Sequence, residues 1–308
     1  MDDNRFISII TAAHDQLAYN KVFFEALRKY THHNFELIVV DNASTDASPE
    51  FFRESSATVL SQDKNYNYSR AMNIGSARAK GDYLCHINND VIVGVDWDKH
   101  LIGAMEMHGL DFAWPASMEV MPTYTETRKM LKKWQKIGKP SGTASEEQII
   151  SAWRRMYKDW ESYCREFARK NYGKLLDGIN GHTLMISRKG WEAVGGYDDS
   201  AVFTDWDIYM RVKKLEVGGA GICAPKVVCW AYVHHFMGVT AATTRCAYDS
   251  DVALTENICD KWPIAELDKY FPFPMYVHPA PNAAKQPLAY LRYAFKRCFN
   301  LYRWGDRW

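Results

Sequence analysis

The sequence predicts an α/β fold whose central sheet is mostly parallel and carries helices on both faces. Short apolar runs alternate with helical patterns through the first half of the chain, the rhythm of strand–helix–strand units. Runs such as ELIVV and YLCHI are apolar on both alternating sets of positions, as strands covered on both faces should be.

Taken in order, FISIIT opens as a strand and a helix is expected from Leu17 to Tyr30. FELIVVD is the second strand, followed by a helix beginning near Ser48, the strand ATVLS, and a helix from about Ser69 to Ala79. DYLCHIN is the fourth strand, and FAWPAS at 112–117 closes a first half spanning 1–117. The character then changes: residues 126–171 are charged and helix-forming, broken by the turn-rich KPSGTAS at 139–145. This predicts a helical insertion over about 120–175. A further half at 176–240 holds the strand TLMIS, the turn VGGYDDS, a helix from about Asp205 to Leu215 and the strand KVVCWAYV before His234. Residues 241–308 read as a C-terminal helical extension with an aromatic, basic tail from Gln286 to Trp308.

Composition narrows the function classes. The 308 residues are 47% hydrophobic, ample for a sizeable core. Lys and Arg number 38 against 37 Asp and Glu, so a net charge of +1 supplies no field for gripping nucleic acid. The seven cysteines form no CxxC pair and their number is odd, which fits reduced thiols in the cytoplasm. MDDNRF shows no leader-like pattern, and no apolar run reaches the roughly 18 residues of a membrane-spanning helix. The expectation is a cytoplasmic protein whose only membrane contact is peripheral. Leu291, Phe295 and Phe299 of the tail serve equally a helix packed on the domain or one lying on anionic lipid.

In open α/β sheets ligands bind beyond the carboxyl ends of the strands, so the residues there are the candidates. Asp41 ends a buried strand and could accept hydrogen bonds from a nucleoside, although Ser44, Thr45 and Asp46 also suit a plain capped turn. Asp90 in INND offers a hard oxygen ligand for a divalent cation; a polar turn is the alternative. Asp205 and Asp207 open an amphipathic helix, about 200° apart, so one can serve chemistry while the other caps. His234 and His235 follow a strand, where one imidazole could ligate metal and a structural role is the bland reading. Trp134, Trp153, Tyr157, Trp160 and Tyr163 of the insertion either pack it onto the domain or stack on sugar rings.

In this order, FISIITAAHD, ELIVVDNASTD, NYNYSRAMNIGSARAKGDYL, INND, GINGHTLMISRKGWEAVGGYDD, TDWDIYMRVKKLEVG and VHHFMG resemble the segments of the family 2 glycosyltransferases, of the bacterial rhamnosyl- or galactosyl-transferase-like type. The likeness runs over about residues 5–238. It implies a GT-A (Rossmann-like) fold and a metal-dependent, inverting transfer of a sugar from a nucleoside-diphosphate donor, a UDP-sugar by default. The implied cofactor is Mn²⁺ or Mg²⁺, and the implied acceptor is a hydroxyl of a glycan or lipid-linked saccharide in cell-surface polysaccharide assembly. By position, Thr11, Ala12, His14, Asp41, Asn42, Asn67, Arg70, Asn88 and Asn89 would face the donor, and Gly181, His182, Trp206 and Asp207 the acceptor. Asp205 would be the base, and Asp90 with His234 (or His235) would hold the metal.

The chain departs from the family pattern at Asn88 and Asn42, where aspartate is common, at Thr204 for glutamate and at Asn67 for glycine. A catalytically silent member that binds a nucleotide sugar or glycan is the alternative these departures motivate. A nucleotidyltransferase would show a Gly-rich basic loop after the first strand, where this chain has TAAHDQ.

Overall fold

The computed structural model describes residues 5–223, 225–239, 255 and 258–270. The tail from 286 to 308 and most of the extension expected from 241 onward lie outside the described residues. Nine strands form one sheet in the order β3-β2-β1-β4-β8-β6-β9-β5, with β7 joined to β9.

The first half is the parallel unit that the apolar rhythm predicts. β1 (Phe6–Ala13) lies between β2 (Asn34–Asn42) and β4 (Tyr83–Ile87), and β3 (Thr58–Gln62) flanks β2, all parallel. The crossovers are α1 (Leu17–Tyr30), α2 (Ser48–Glu54) and α3 (Tyr68–Ser76). Asp46 sets the starts of two of them, accepting the Leu17 amide at 2.9 Å and the Ser48 amide at 2.9 Å. Gly75 lets α3 lie directly on the sheet, since a Cβ there would come within 2.4 Å of Ile10 Cγ2.

Beyond β4 the sheet turns antiparallel. β8 (Thr183–Ser187) runs against both β4 and β6 (Phe112–Ala116), whereas β9 (Lys226–His235) is parallel to β6. Two strands that the sequence pattern misses, β5 (Val91–Val93) and β7 (Leu175–Asp177), pair antiparallel with β9. Each is too short to display a period. α4 (Trp97–His108), α8 (Arg188–Val194) and α9 (Thr204–Val217) complete the layers.

The insertion is three helices, α5 (Tyr124–Ile137), α6 (Glu146–Tyr157) and α7 (Trp160–Asn171). Thr123, Ser145 and Asp159 cap their first turns, Ser145 in a reciprocal capping box with Gln148. Its aromatics belong to the core. Trp160 donates Nε1–H to the Val93 carbonyl at 3.1 Å, and Tyr157, Tyr163 and Phe167 crowd the ring of Tyr232 on β9.

Two short helices, α10 (Ile258–Lys261) and α11 (Ile264–Tyr270), dock on α9. Among the described residues no helix is long and apolar enough to cross a membrane.

Candidate functional site

The site grows from one strand pairing. Asp90 ends the INND turn after β4, and the chain enters β5 at once. β5 runs against β9 with Val91 opposite His235 and Ile92 opposite His234. The Phe236 amide then donates to the Asp90 carbonyl at 3.0 Å. This register brings His235 Nε2 to 3.2 Å from Asp90 Oδ1.

Successive strand residues point to opposite faces, so His234 cannot share that position. Its Nδ1 meets the Tyr157 hydroxyl at 2.9 Å and its ring lies 4.7 Å from that of Trp134. Burial lowers its pKa to about 3, which keeps it neutral. Of the two histidines, His235 is the one that faces Asp90.

A residue that the sequence reading did not single out completes the cluster. Glu119, just past β6, places Oε2 3.0 Å from His235 Nδ1 and 3.4 Å from His182 Nε2. The second contact is an ion-pair approach without hydrogen-bond alignment. The rings of His182 and His235 are 4.6 Å apart. Glu119 had one sequence signal, a lone charge inside the otherwise apolar or small run FAWPASMEVM. Burial raises the Glu119 carboxyl, but His235 and His182 outweigh it and hold it below the usual range. Burial likewise opposes ionisation of His235, yet Asp90 and Glu119 raise its pKa well above the ordinary imidazole value.

Asp205 opens α9 at the rim of this cluster. A Cβ built on Gly181 would lie 2.9 Å from Asp205 Oδ2, so the glycine admits the carboxylate beside His182. Burial raises the Asp205 pKa to about 7, with His235 pulling the other way. Its neighbour Asp207 is engaged elsewhere. Asp207 is 1% exposed and is held by Arg211 at 3.0 Å, Lys261 at 2.6 Å and the Trp262 indole N–H at 2.9 Å. Trp206 is half-buried on the same turn.

On the opposite side of Asp90, β1 and β2 end together, Ala12 paired with Val40 and Ala13 with Asp41. His14 Nδ1 meets the Asn42 carbonyl at 2.7 Å. Asn42 spends its Nδ2 on the Tyr66 carbonyl at 2.9 Å, while its Oδ1 and Thr11 Oγ1 are buried with no hydrogen-bond partner among the described residues. Arg70 lies 4.2 Å over the Tyr66 ring, and Asn88 is half-buried at the strand end. Two expected donor residues are engaged elsewhere. Asn67 caps α3 and donates to the Asp199 carbonyl at 2.6 Å, and Asn89 turns inward to Asn20 Oδ1 at 2.7 Å.

The donor set suits a divalent cation. Asp90 supplies oxygen and His235 an imidazole nitrogen, a pairing that Mn²⁺ accepts readily. Ligand atoms of Glu119, His182 and His235 also lie within 4.8 Å of one another.

A parallel half, a largely antiparallel half with an acid at the start of α9, and an Asp–His pair where the two meet are the features of the GT-A class of fold. Residues 8–192 match the pattern described as Glycosyl transferase family 2, and the chain belongs to that family. It is 25% identical over 248 residues to "Uncharacterized protein y4gI" of Sinorhizobium fredii, covering 76% of this chain and 25% of that protein. It is 30% identical over 95 residues to "Glycosyltransferase GlyG" of Streptococcus pneumoniae, covering 29% of this chain and 32% of that one. The matches thus span a quarter to a third of these relatives. Among solved structures, that of GalNAc-T7 with UDP, GalNAc and Mn2+ superposes with a TM-score of 0.51 at 14% identity, covering 76% of this chain and 44% of that one.

Proposed function

We propose that the chain transfers a sugar from a nucleoside-diphosphate donor to an acceptor hydroxyl, with Asp205 as general base and Asp90 and His235 as the metal-holding pair. One observation carries this most: two side chains of metal-binding type, brought together by the β5–β9 register, beside a carboxylate whose burial sets its pKa to about 7. A base of that pKa is half-deprotonated near neutrality and still strong enough to take a hydroxyl proton in the transition state.

In the proposed reaction the carboxyl ends of β1 and β2 receive the nucleoside, with Asp41, Asn42 and Thr11 as the polar groups there. The unpartnered Thr11 Oγ1 and Asn42 Oδ1 are suited to hydrogen bonds from or to a base or ribose. A bound Mn²⁺ or Mg²⁺ would offset the charge that grows on the departing diphosphate. Asp205 draws the proton from the acceptor hydroxyl, whose oxygen attacks the anomeric carbon on the face away from the diphosphate, giving inversion. Gly181 leaves the space in which that hydroxyl meets Asp205. Positioning supplies much of the acceleration. A glycan or lipid-linked saccharide is the proposed acceptor class, in cell-surface polysaccharide assembly, with UDP-sugars the first donors to test.

The test needs no acceptor. Thermal unfolding is followed with a panel of nucleoside diphosphates, each with Mn²⁺, Mg²⁺ or EDTA; a ligand at about 100 times its Kd adds roughly 2.7 kcal/mol. The expected outcome is a metal-dependent rise in Tm for one nucleotide, abolished in Asp90→Ala. Absence of a shift with every nucleotide would turn the assignment toward a silent glycan-binding member.

A further inference from the structure

The proposed roles of Asp90 and His235 leave a buried acid with no part in the chemistry. Glu119 is 1% exposed, and burying a carboxylate costs several kcal/mol unless charge-assisted hydrogen bonds offset it. Its carboxylate accepts the Ser117 hydroxyl at 3.5 Å and faces two imidazoles more closely, one just before β8 and one on β9 that lies 116 residues further along the chain. A simple capping role would have used a nearby amide.

The depth of each group sorts the cluster. Glu119 and His182 are 1% and 2% exposed, against 6% for Asp90 and 8% for His235. Asp90 and His235 are thus the shallower members of the cluster, and Glu119 and His182 the deeper ones. An ion that also binds a donor diphosphate needs coordination positions on the shallower side. His235 can present only one nitrogen there, and the state of that nitrogen depends on its other one.

We propose that Glu119 is a positioning residue for the metal: it accepts the Nδ1–H of His235 and so holds the ring with Nε2 toward Asp90, where an ion that displaces the Nε2 proton would bind. This rests on the reading of Asp90 and His235 as the metal-holding pair. The geometry is that of the carboxylate–histidine–metal arrangement, in which the outer carboxylate orients the ring and raises its basicity. His182 braces the carboxylate. Its ring packs on His235 and its Nδ1 meets the Thr183 hydroxyl at 3.0 Å, so Glu119 is held from both sides.

The experiment measures Mn²⁺ binding to the full chain by the electron paramagnetic resonance signal of free Mn²⁺, without donor or acceptor. Glu119→Gln is expected to bind Mn²⁺ about 10–100-fold more weakly than wild type. Circular dichroism checks that the variant is folded, and Glu119→Asp serves as the conservative variant that recovers part of the affinity. Pulsed measurements on the wild-type complex should find one imidazole nitrogen on the metal. Two nitrogens would make His182 a ligand alongside His235, with Glu119 ligating directly, and would overturn the positioning role. Wild-type affinity in Glu119→Gln together with loss of binding in Asp90→Ala and His235→Ala would overturn the Glu119 role alone. Unchanged binding in those two variants would overturn the metal pair, and the role of Glu119 with it.

Discussion

At Asp205 two effects compete for the same proton. The first turn of a helix favours the ionised carboxylate, and the carboxylate accepts a backbone amide of its own turn. Burial opposes both and wins, setting the pKa at about 7. Turnover by a base at this position should rise with pH through a midpoint near 7. Asp205→Asn should lower kcat by about 10²–10⁴-fold, the usual worth of a general base, while leaving nucleotide binding intact. Near-normal turnover would remove Asp205 from that role. The same shift makes a stability prediction of fixed sign. A carboxyl with a raised folded pKa destabilises the fold when ionised, so the penalty is full above about pH 7 and fades as pH falls toward the unfolded value near 4. Asp205→Asn should therefore raise stability at pH 8 by on the order of 1–3 kcal/mol and change it little at pH 4, read from denaturant midpoints.

Among the elements, β9 and the helical insertion act as one body. Trp160, 5% exposed, hangs from the Val93 carbonyl and packs on Tyr232, so α7 presses β5 against β9. Trp160→Ala should cost about 3–5 kcal/mol, as large-to-small changes at buried tryptophans do. Because Val93 is three residues from Asp90 on the same turn and strand, the variant should also loosen the Asp90–His235 spacing and weaken Mn²⁺ binding. Wild-type metal affinity in a folded Trp160→Ala protein would separate the insertion from the site. A second element-level prediction concerns α10, which reaches α9 through Lys261 and Trp262 on Asp207. Asp207→Ala leaves the Trp262 indole N–H unpaired and takes one acceptor from Lys261 and Arg211, which keep Asp198 and the Val194 and Gly196 carbonyls, so a loss of about 1–3 kcal/mol is expected in urea unfolding. Nucleotide binding should survive, since Asp207 lies away from the cluster.

The sequence revealed α3, the insertion and the strand-end carboxylates because each carries a period or a turn signature. It could not separate His234 from His235. Residues Val227 to His235 of β9 are all buried, so polar–apolar alternation holds no information about which face a residue takes. Only the pairing with β5 decides it. Glu119 escaped for a related reason, since its partners lie on strands that are distant in sequence and no local spacing links them.

For the molecule as a whole, the parallel half was legible in its elements and their order, whereas the antiparallel half was legible in the strands β6, β8 and β9 but not in how they pair. β1 to β4 follow one another with crossover helices, and each is five residues or longer. β8, β6, β9 and β5 are out of chain order, and β7 and β5 are three residues each. Such an arrangement leaves its trace in pairing rather than in pattern. The near-neutral balance of 38 basic and 37 acidic residues agrees with a site whose charges are local, a few buried ions facing one another.

The three-way pairing of β9 with β6, β5 and β7 also fixes an order of events during synthesis. β3, β2, β1 and β4 can pair as soon as residue 87 has been made, whereas one side of β6 stays an open edge until residues 226–235 emerge. Asp90, Glu119 and His182 then wait without His235, and the cluster of the nascent chain is incomplete. Closure of the sheet and completion of the cluster are a single late step, so a slow or interrupted arrival of β9 would leave an aggregation-prone edge and an incomplete cluster together.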